Sequence, residues 1–160
     1  MTERQLDIEK RVKEHYIEAL EYFPERSIVG LFLQGSQNYG LATDNSDVDT
    51  KSFVFPSFCE VALHKPLLSK ELTAPDGSHV EMKDYRDMCA NLKKQSVNFL
   101  ETLFTPYVVV NPFWQAFYDS LHASRETLAR LDVNRGLMSM LGHMCNMEQR
   151  FKRDQNMKQA

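Results

Sequence analysis

Two aspartates and a Gly-Ser pair carry the residue types in this sequence best suited to chemistry. Asp47 and Asp49 stand one residue apart at the start of the segment DVDTKSFVF. Because alternate side chains of a strand share one face, both carboxylates project to the same side. Two carboxylates so close repel each other unless a cation lies between them, and hard oxygen ligands suit Mg²⁺ or Mn²⁺. The pair therefore predicts a divalent metal site, although Asp-x-Asp also occurs in solvated loops.

The Gly35-Ser36 pair follows the apolar run SIVGLFLQ and predicts an anion-binding turn. Glycine lets the backbone approach a ligand closely, and a turn with free N–H groups and a serine hydroxyl can cradle an anion. A plain turn from strand to loop would explain the same two residues. A strand, the Gly-Ser pair, a loop and then Asp-x-Asp on a second strand together favour one site for a metal ion and an anion.

The string GSQNYGLATDNSDVD, residues 35–49, resembles the signature of the DNA-polymerase-β-type nucleotidyltransferase superfamily, in which Gly-Ser is followed by Asp-x-Asp. It is similar in particular to bacterial and phage predicted nucleotidyltransferases that carry a GS-x-x-YGL…SD-x-D string. Weaker similarity reaches NFLETLF at 98–104 and GHMCNMEQRFK at 142–152, so the resemblance covers about residues 28–152. Many of the similar proteins have Arg after the Gly-Ser pair, whereas Gln37 stands here.

The resemblance implies an α+β nucleotidyltransferase fold with a small mixed β-sheet flanked by helices. A catalytic core would span residues 1–110, and a C-terminal helical segment would span 111–160. Similar proteins continue with more helices, so this chain is either a minimal form or lacks part of the acceptor site.

The activity implied by the resemblance is transfer of a nucleoside monophosphate from a nucleoside triphosphate to a hydroxyl acceptor, with release of pyrophosphate. Two Mg²⁺ or Mn²⁺ ions would be held by Asp47 and Asp49, while Gly35 and Ser36 hold the β and γ phosphates. The acceptor could be an RNA 3′ end, a protein hydroxyl or a small molecule.

A third carboxylate on a neighbouring strand completes the metal site in that superfamily. Glu81 in HVEMKDY is the first candidate, followed by Asp84 and then Asp76. Lys51 either supplies the cation that Gln37 lacks at the triphosphate or is a surface lysine. Two other functions are weighed: a weak or inactive nucleotide-binding or partner-binding module of the same fold, and a helical interaction domain. The last leaves the motif unexplained.

The elements that must position these residues follow from periodicity and turn signals. Spacing of three and four predicts helices, and β-branched runs bounded by Gly or Pro predict strands. The expected elements are a helix at 4–23 ended by Pro24, strands at 27–34, 47–55, from Ser78 and at 107–110, helices between 85 and 104, a helix from Pro112 to about Arg130, and a last helix from about 132.

Composition limits the class of protein. The chain has 160 residues and a formal net charge of −3, and it lacks both an apolar run long enough for a membrane and an apolar signal at its start. We therefore expect a cytoplasmic protein of one domain with no membrane partner. The three cysteines, Cys59, Cys89 and Cys145, are expected to be reduced and buried or half-buried.

Several residues have both a functional and a structural interpretation. The methionines of the last helix, Met138, Met140, Met144 and Met147, are expected to be core filler. The histidines lack metal-ligand spacing, although His79 could line the same cleft as Glu81. The basic tail is either a solvated helix end or a nucleic-acid contact; its cations are Arg150, Lys152, Arg153 and Lys158.

Overall fold

The computed structural model of the chain describes residues 3–24, 27–43, 46–74 and 76–159, with the side chains of 150 and 154–159 excepted. Its described part is an α+β domain with one five-stranded sheet. The strands are β1 (Ile28–Leu33), β2 (Thr50–Val54), β3 (Ser69–Thr73), β4 (His79–Asp84) and β5 (Val108–Val110). The helices are α1 (Glu3–Leu20), α2 (Phe58–Ala62), α3 (Tyr85–Lys93), α4 (Val97–Leu100), α5 (Gln115–Ala123), α6 (Arg125–Ala129) and α7 (Val133–Gln159).

The sheet is mixed, with strand order β3-β4-β2-β1-β5. Strand β1 pairs antiparallel with β2 and β5, β3 pairs antiparallel with β4, and β2 and β4 run parallel. This parallel pair matters for the site because it aligns Lys51 with Glu81 and Thr50 with Val80. The mixed sheet confirms the predicted α+β class and is incompatible with a purely helical interaction domain.

Helix α1 covers one face of the sheet. Its buried residues Ile8, Val12, His15 and Ala19 recur at helical spacing, as expected for an amphipathic helix, and three of them are apolar. The core on this face joins α1 to the central strands; its members include Leu31, Leu33, Val54, Val80 and Met82. Short 3-10 turns join regular elements in the described part of the chain, and the turn Gly35–Tyr39 follows β1 after Gln34.

The other face is covered by α3, α4 and the helices after β5. Its core consists of Val29, Phe32, Phe53, Met88, Leu92, Phe99 and Leu103, with partly buried aromatic residues of α5 packed against it. The residues of β1 and β2 are all buried, so the centre of the sheet is covered on both faces. Of the described residues, none forms a helix of the length and hydropathy needed to span a membrane.

Most predicted elements are confirmed, with shifted ends, but the helix predicted from Pro112 to about Arg130 is a 3-10 turn followed by the separate helices α5 and α6. The second strand begins at Thr50 rather than at 47, so Asp47 and Asp49 precede it. Strand β3 was not predicted, and it pairs with β4 through a turn in which Gly77 N–H donates to Ala74 O at 2.9 Å. Pro75, part of the predicted PDG turn, lies outside the described residues.

The predictions for cysteine and methionine burial are wrong. All three cysteines are exposed. The four methionines of the last helix are also exposed, each with more than half of its surface accessible: Met138, Met140, Met144 and Met147. Helix α7 touches the domain near its start, where Val97 N–H donates to Ser139 Oγ at 3.3 Å, and every side chain from 140 to 149 is exposed. In the basic tail, Lys152 pairs with Glu148 at 2.6 Å and Arg153 is exposed; the side chains of Arg150 and Lys158 lie outside the described residues.

Candidate functional site

The Gly-Ser turn is shaped by glycine backbone conformations. Gly35 has φ +79° and Gly40, which ends the turn, has φ +66°, and both values lie in the left-handed region that favours glycine. A Cβ at Gly35 would meet no atom within 4 Å, so the glycine is required by the backbone and not by crowding. The turn therefore presents an open surface at the end of β1.

Hydrogen bonds join the turn to the Asp-x-Asp segment. Gln34 N–H donates to Asp49 O at 3.0 Å, and Gln37 Nε2 donates to Ser46 O at 3.1 Å and to Asp47 O at 3.2 Å. Gln37 thus anchors the aspartate loop with its side-chain amide. The two halves of the motif form one connected structure, as the sequence predicts.

Asp47 and Asp49 precede β2, so the strand alternation that was expected to put both carboxylates on one face does not apply to them. Asp47 is exposed and Asp49 is half-buried, with its Oδ1 accepting a hydrogen bond from His79 N–H at 2.9 Å. Burial raises the pKa of the Asp49 carboxyl and the Asp47 charge adds to the rise, while the His79 N–H opposes it. The two carboxylates therefore repel, and a divalent cation between them would relieve that repulsion.

Glu81, the predicted third carboxylate, is neutralised by two lysines. Its Oε2 lies 3.1 Å from Lys51 Nζ and its Oε1 lies 2.9 Å from Lys83 Nζ. Burial alone would raise the pKa of Glu81, but the charges and hydrogen bonds of both lysines lower it, so the pKa of Glu81 lies below its ordinary value. Among the described residues, the structure brings no three His, Cys, Asp or Glu side chains together in a metal-binding group, so Glu81 does not join the aspartate pair in this arrangement.

The two alternative third carboxylates occupy different places. Asp84 lies at the opposite end of β4 from His79, where it caps α3 and pairs with Arg86 at 2.6 Å. Asp76 lies in the turn before β4 and pairs with Arg11 at 2.9 Å, on the wall of a cavity that Asp47 also lines. Asp84 is therefore too far along its strand to serve the site, whereas Asp76 borders it.

Lys51 is buried, so its interpretation as a surface lysine is wrong. Only 2% of its surface is exposed. Besides Glu81, its Nζ donates to Asn98 O at 2.9 Å and lies 4.3 Å from the centre of the Phe99 ring. The ammonium group therefore has partners inside the protein, on the side of the sheet that α4 covers.

Glu101 contacts the Gly-Ser turn, and sequence analysis assigned it no role. Its Oε2 accepts hydrogen bonds from Gly35 N–H at 3.4 Å and from the Tyr39 hydroxyl. Burial raises the pKa of Tyr39, and the bond to Glu101 raises it further. A carboxylate thus lies against an N–H that was expected to face phosphate. The only sequence signal was an acidic residue inside the apolar segment NFLETLF.

A cavity of about 620 Å³ adjoins Asp47. Helix α1 forms one wall, where Arg4 donates to Thr43 O at 3.2 Å and to Gln37 Oε1 at 3.4 Å. Arg11 forms part of the same wall and is held by acidic neighbours. The cavity is lined by charges of both signs and suits a polar ligand placed beside Asp47.

His79 contributes to the site through its backbone. Its N–H binds Asp49, while its ring Nδ1 lies 3.2 Å from Glu71 Oε1 on the unpredicted strand β3. The Glu71 charge also raises the pKa of Asp49. His79 was suggested to line the same cleft as Glu81; the structure places its main-chain N–H on Asp49 and its side chain against β3.

Neither a scan of the chain against models of known protein families nor a search of curated proteins finds a match.

Proposed function

We propose that this protein is a metal-dependent nucleotidyltransferase. The carrying observation is that hydrogen bonds from Gln34 N–H and Gln37 Nε2, beside and within the Gly-Ser turn, bind the main-chain oxygens of Asp49 and Asp47, whose carboxylates repel each other. In the reaction, an acceptor hydroxyl oxygen bonds to the α-phosphorus of a nucleoside triphosphate. The bond between the α-phosphorus and the bridging oxygen breaks, pyrophosphate leaves with that oxygen, and the proton of the acceptor hydroxyl is released to water.

Separate residues would bind the metal ion and the triphosphate. Asp47 and Asp49 would hold Mg²⁺ or Mn²⁺, which when bound lowers the pKa of the acceptor hydroxyl and neutralises charge on the phosphates. The Gly35-Ser36 turn is joined to the main chain of the aspartate segment by hydrogen bonds and would orient the triphosphate. Such positioning and charge compensation supply most of the rate in phosphoryl-type transfer.

Glu81 is proposed as the third ligand, and this role requires a change of partners. Its carboxylate would exchange one of its two lysines, Lys51 or Lys83, for the metal ion. The freed ammonium would then be available to a phosphate oxygen, which is the role proposed for Lys51. The acceptor remains one of three classes: an RNA 3′ end, a protein hydroxyl or a small molecule.

The test is thermal melting of the full chain with Mg²⁺ or Mn²⁺ and each of ATP, CTP, GTP and UTP. A ligand at about 100 times its Kd stabilises by about 2.7 kcal/mol, which raises Tm by several degrees in a domain of this size. We expect a metal-dependent shift in the wild type and in Asp119→Asn, an exposed control on α5. The shift should be absent in the double variant Asp47→Asn/Asp49→Asn. Equal shifts in all three proteins, or none up to millimolar nucleotide, would contradict the proposal.

A second candidate function is a nucleotide-binding or partner-binding module without catalysis. The pairing of Glu81 with two lysines and of Gly35 N–H with Glu101 favours it, because both groups are engaged by protein atoms. Release of pyrophosphate from the bound triphosphate, measured with a coupled assay and mixed hydroxyl acceptors, separates the two functions. A metal-dependent melting shift with no pyrophosphate from any acceptor supports the module.

A further inference from the structure

A fully buried histidine contacts Thr50, the residue that follows Asp49. His15, on α1, has no exposed surface and lies between two hydroxyl groups. Its Nδ1 is 2.9 Å from Thr50 Oγ1, and its Nε2 is 2.9 Å from Ser78 Oγ. A buried polar ring with both nitrogens hydrogen-bonded connects α1 to two separate chain segments.

The hydrogen-bond donors in this cluster can be assigned from Ser78. Its Oγ is 2.5 Å from Asp76 Oδ1, and hydrogen bonds from Ser78 and Arg11 hold the pKa of Asp76 near 2 despite its partial burial, so the carboxylate only accepts. Ser78 therefore donates to Asp76 and accepts from His15 Nε2–H and from Arg11 at 3.0 Å. His15 Nδ1 then carries no proton and accepts from the Thr50 hydroxyl.

The charge state of His15 agrees with this chain of donors. Burial, assisted by the positive charge of Arg11, lowers the pKa of His15 to about 4. The ring is thus neutral at pH 7 and is fixed as the Nε2–H tautomer. The direction of donation runs from Thr50 through His15 and Ser78 to Asp76.

The residues that carry these two hydroxyl groups are chain neighbours of Asp49 and of the residue that donates to its carboxylate. Thr50 follows Asp49 in the chain, and Ser78 precedes His79, whose N–H donates to Asp49 Oδ1. Strands β2 and β4 are parallel neighbours that begin at this level of the sheet. The imidazole therefore spans the two segments that present and bind the carboxylate.

We propose that His15 is a positioning residue for Asp49. As a neutral Nε2–H imidazole it ties the first residue of β2 to the residue before β4, and so keeps the Asp49 carboxylate on the His79 N–H. The consequence for metal and nucleotide binding rests on the proposed function, whereas the positioning itself does not.

The first test is made on the ¹⁵N-labelled full-length wild type. A two-bond ¹⁵N–¹H correlation spectrum at pH 7 should show His15 as a neutral ring protonated at Nε2. A ring protonated at Nδ1, or at both nitrogens, would overturn the assignment of donors.

The second test is hydrogen exchange of the His79 amide in His15→Ala, His15→Gln and Val12→Ala. Val12 is a buried residue of the same helix outside the polar cluster, so its variant controls for general loss of core packing. We expect His79 exchange in His15→Ala to be about tenfold faster than in Val12→Ala, relative to the other β4 amides. His15→Gln, whose amide can donate to Ser78, should show a smaller increase and covers the case in which His15→Ala fails to fold. Equal exchange in the His15 and Val12 variants would refute the proposal.

A third measurement separates this proposal from the proposed function. The melting shift with Mn²⁺ and nucleoside triphosphate should be smaller in the His15 variants than in Val12→Ala. If the wild type shows no shift but His79 exchange rises as expected, the nucleotidyltransferase proposal fails and the positioning role stands. If the wild type shows a shift that the His15 variants keep, with unchanged His79 exchange, the positioning role fails alone.

Discussion

Acidification should destabilise the protein through His15, and the size of the effect can be worked out. The pKa of His15 falls from 6.5 to about 4 on folding because the ring is buried. Protonation therefore favours the unfolded chain, and the stability that the neutral ring provides is complete above pH 6.5 and is lost as the pH falls towards 4. The full loss is about 3 kcal/mol, of which about 2 kcal/mol is lost between pH 7 and pH 5.

The charged groups facing His15 come from α1 and from the turn before β4. Arg11 opposes protonation, and Glu14, Glu18 and Asp76 favour it, but burial is the largest contribution. The range from pH 7 to pH 5 is suitable because ordinary carboxyl pKa values lie near 4, below it.

The assay is urea unfolding followed by circular dichroism at pH 7, 6 and 5, in the wild type and in His15→Gln. Both proteins share every other titrating group, so the difference between their free energies of unfolding isolates His15. We expect the wild type to lose about 2 kcal/mol more than His15→Gln between pH 7 and pH 5. Equal losses in the two proteins would refute the argument that a buried neutral imidazole stabilises this fold.

Two further predictions concern stability. Gly30→Ala should destabilise the protein by about 1–3 kcal/mol in urea unfolding, because the added Cβ would lie 2.6 Å from Val109 O on β5. Gly142→Ala, on α7 with open space around it, should instead stabilise the protein by up to about 1 kcal/mol. An unchanged free energy of unfolding in Gly30→Ala would contradict the close approach of β1 and β5. Lys51→Met should lower the free energy of unfolding by about 2 kcal/mol in the same assay, because it leaves Glu81 with one lysine. Adding Glu81→Gln should recover part of that loss, whereas strictly additive losses would show that Lys51 and Glu81 are not coupled.

Local sequence patterns predicted most of the secondary structure. The 3.6-residue spacing of Ile8 and Val12 specifies the buried face of α1, and β1 ends at Leu33, two residues before the glycine at 35 that was expected to bound it. Asn111 caps the 3-10 turn Pro112–Trp114, where its side chain accepts a hydrogen bond from Phe113 N–H at 2.9 Å. These features depend on a few neighbouring residues, which is why sequence alone predicts them.

Burial was harder to predict where a helix extends beyond the domain. The methionine pattern of α7 gives an apolar face, but periodicity does not say whether another element covers that face. Strand β3 was missed because SKELT is polar and mostly exposed at the edge of the sheet, so its pairing with β4 has no apolar signature.

Two features of the candidate site are specified by short stretches of the sequence. Asp47 and Asp49 are separated by one residue, which keeps their main chains close, and the left-handed backbone at Gly35 favours glycine. Both constraints are local, so neither needs the rest of the chain.

The partner of each carboxylate depends on how distant parts of the chain fold together. The register of β2 against β4 places Glu81 opposite Lys51, and helix packing brings Glu101 to Gly35 and His15 to Thr50. These contacts join residues far apart in the chain, and a shift of one strand by one residue would exchange the partners. Periodicity specifies which face of a strand a residue occupies, whereas register and packing specify what that residue meets.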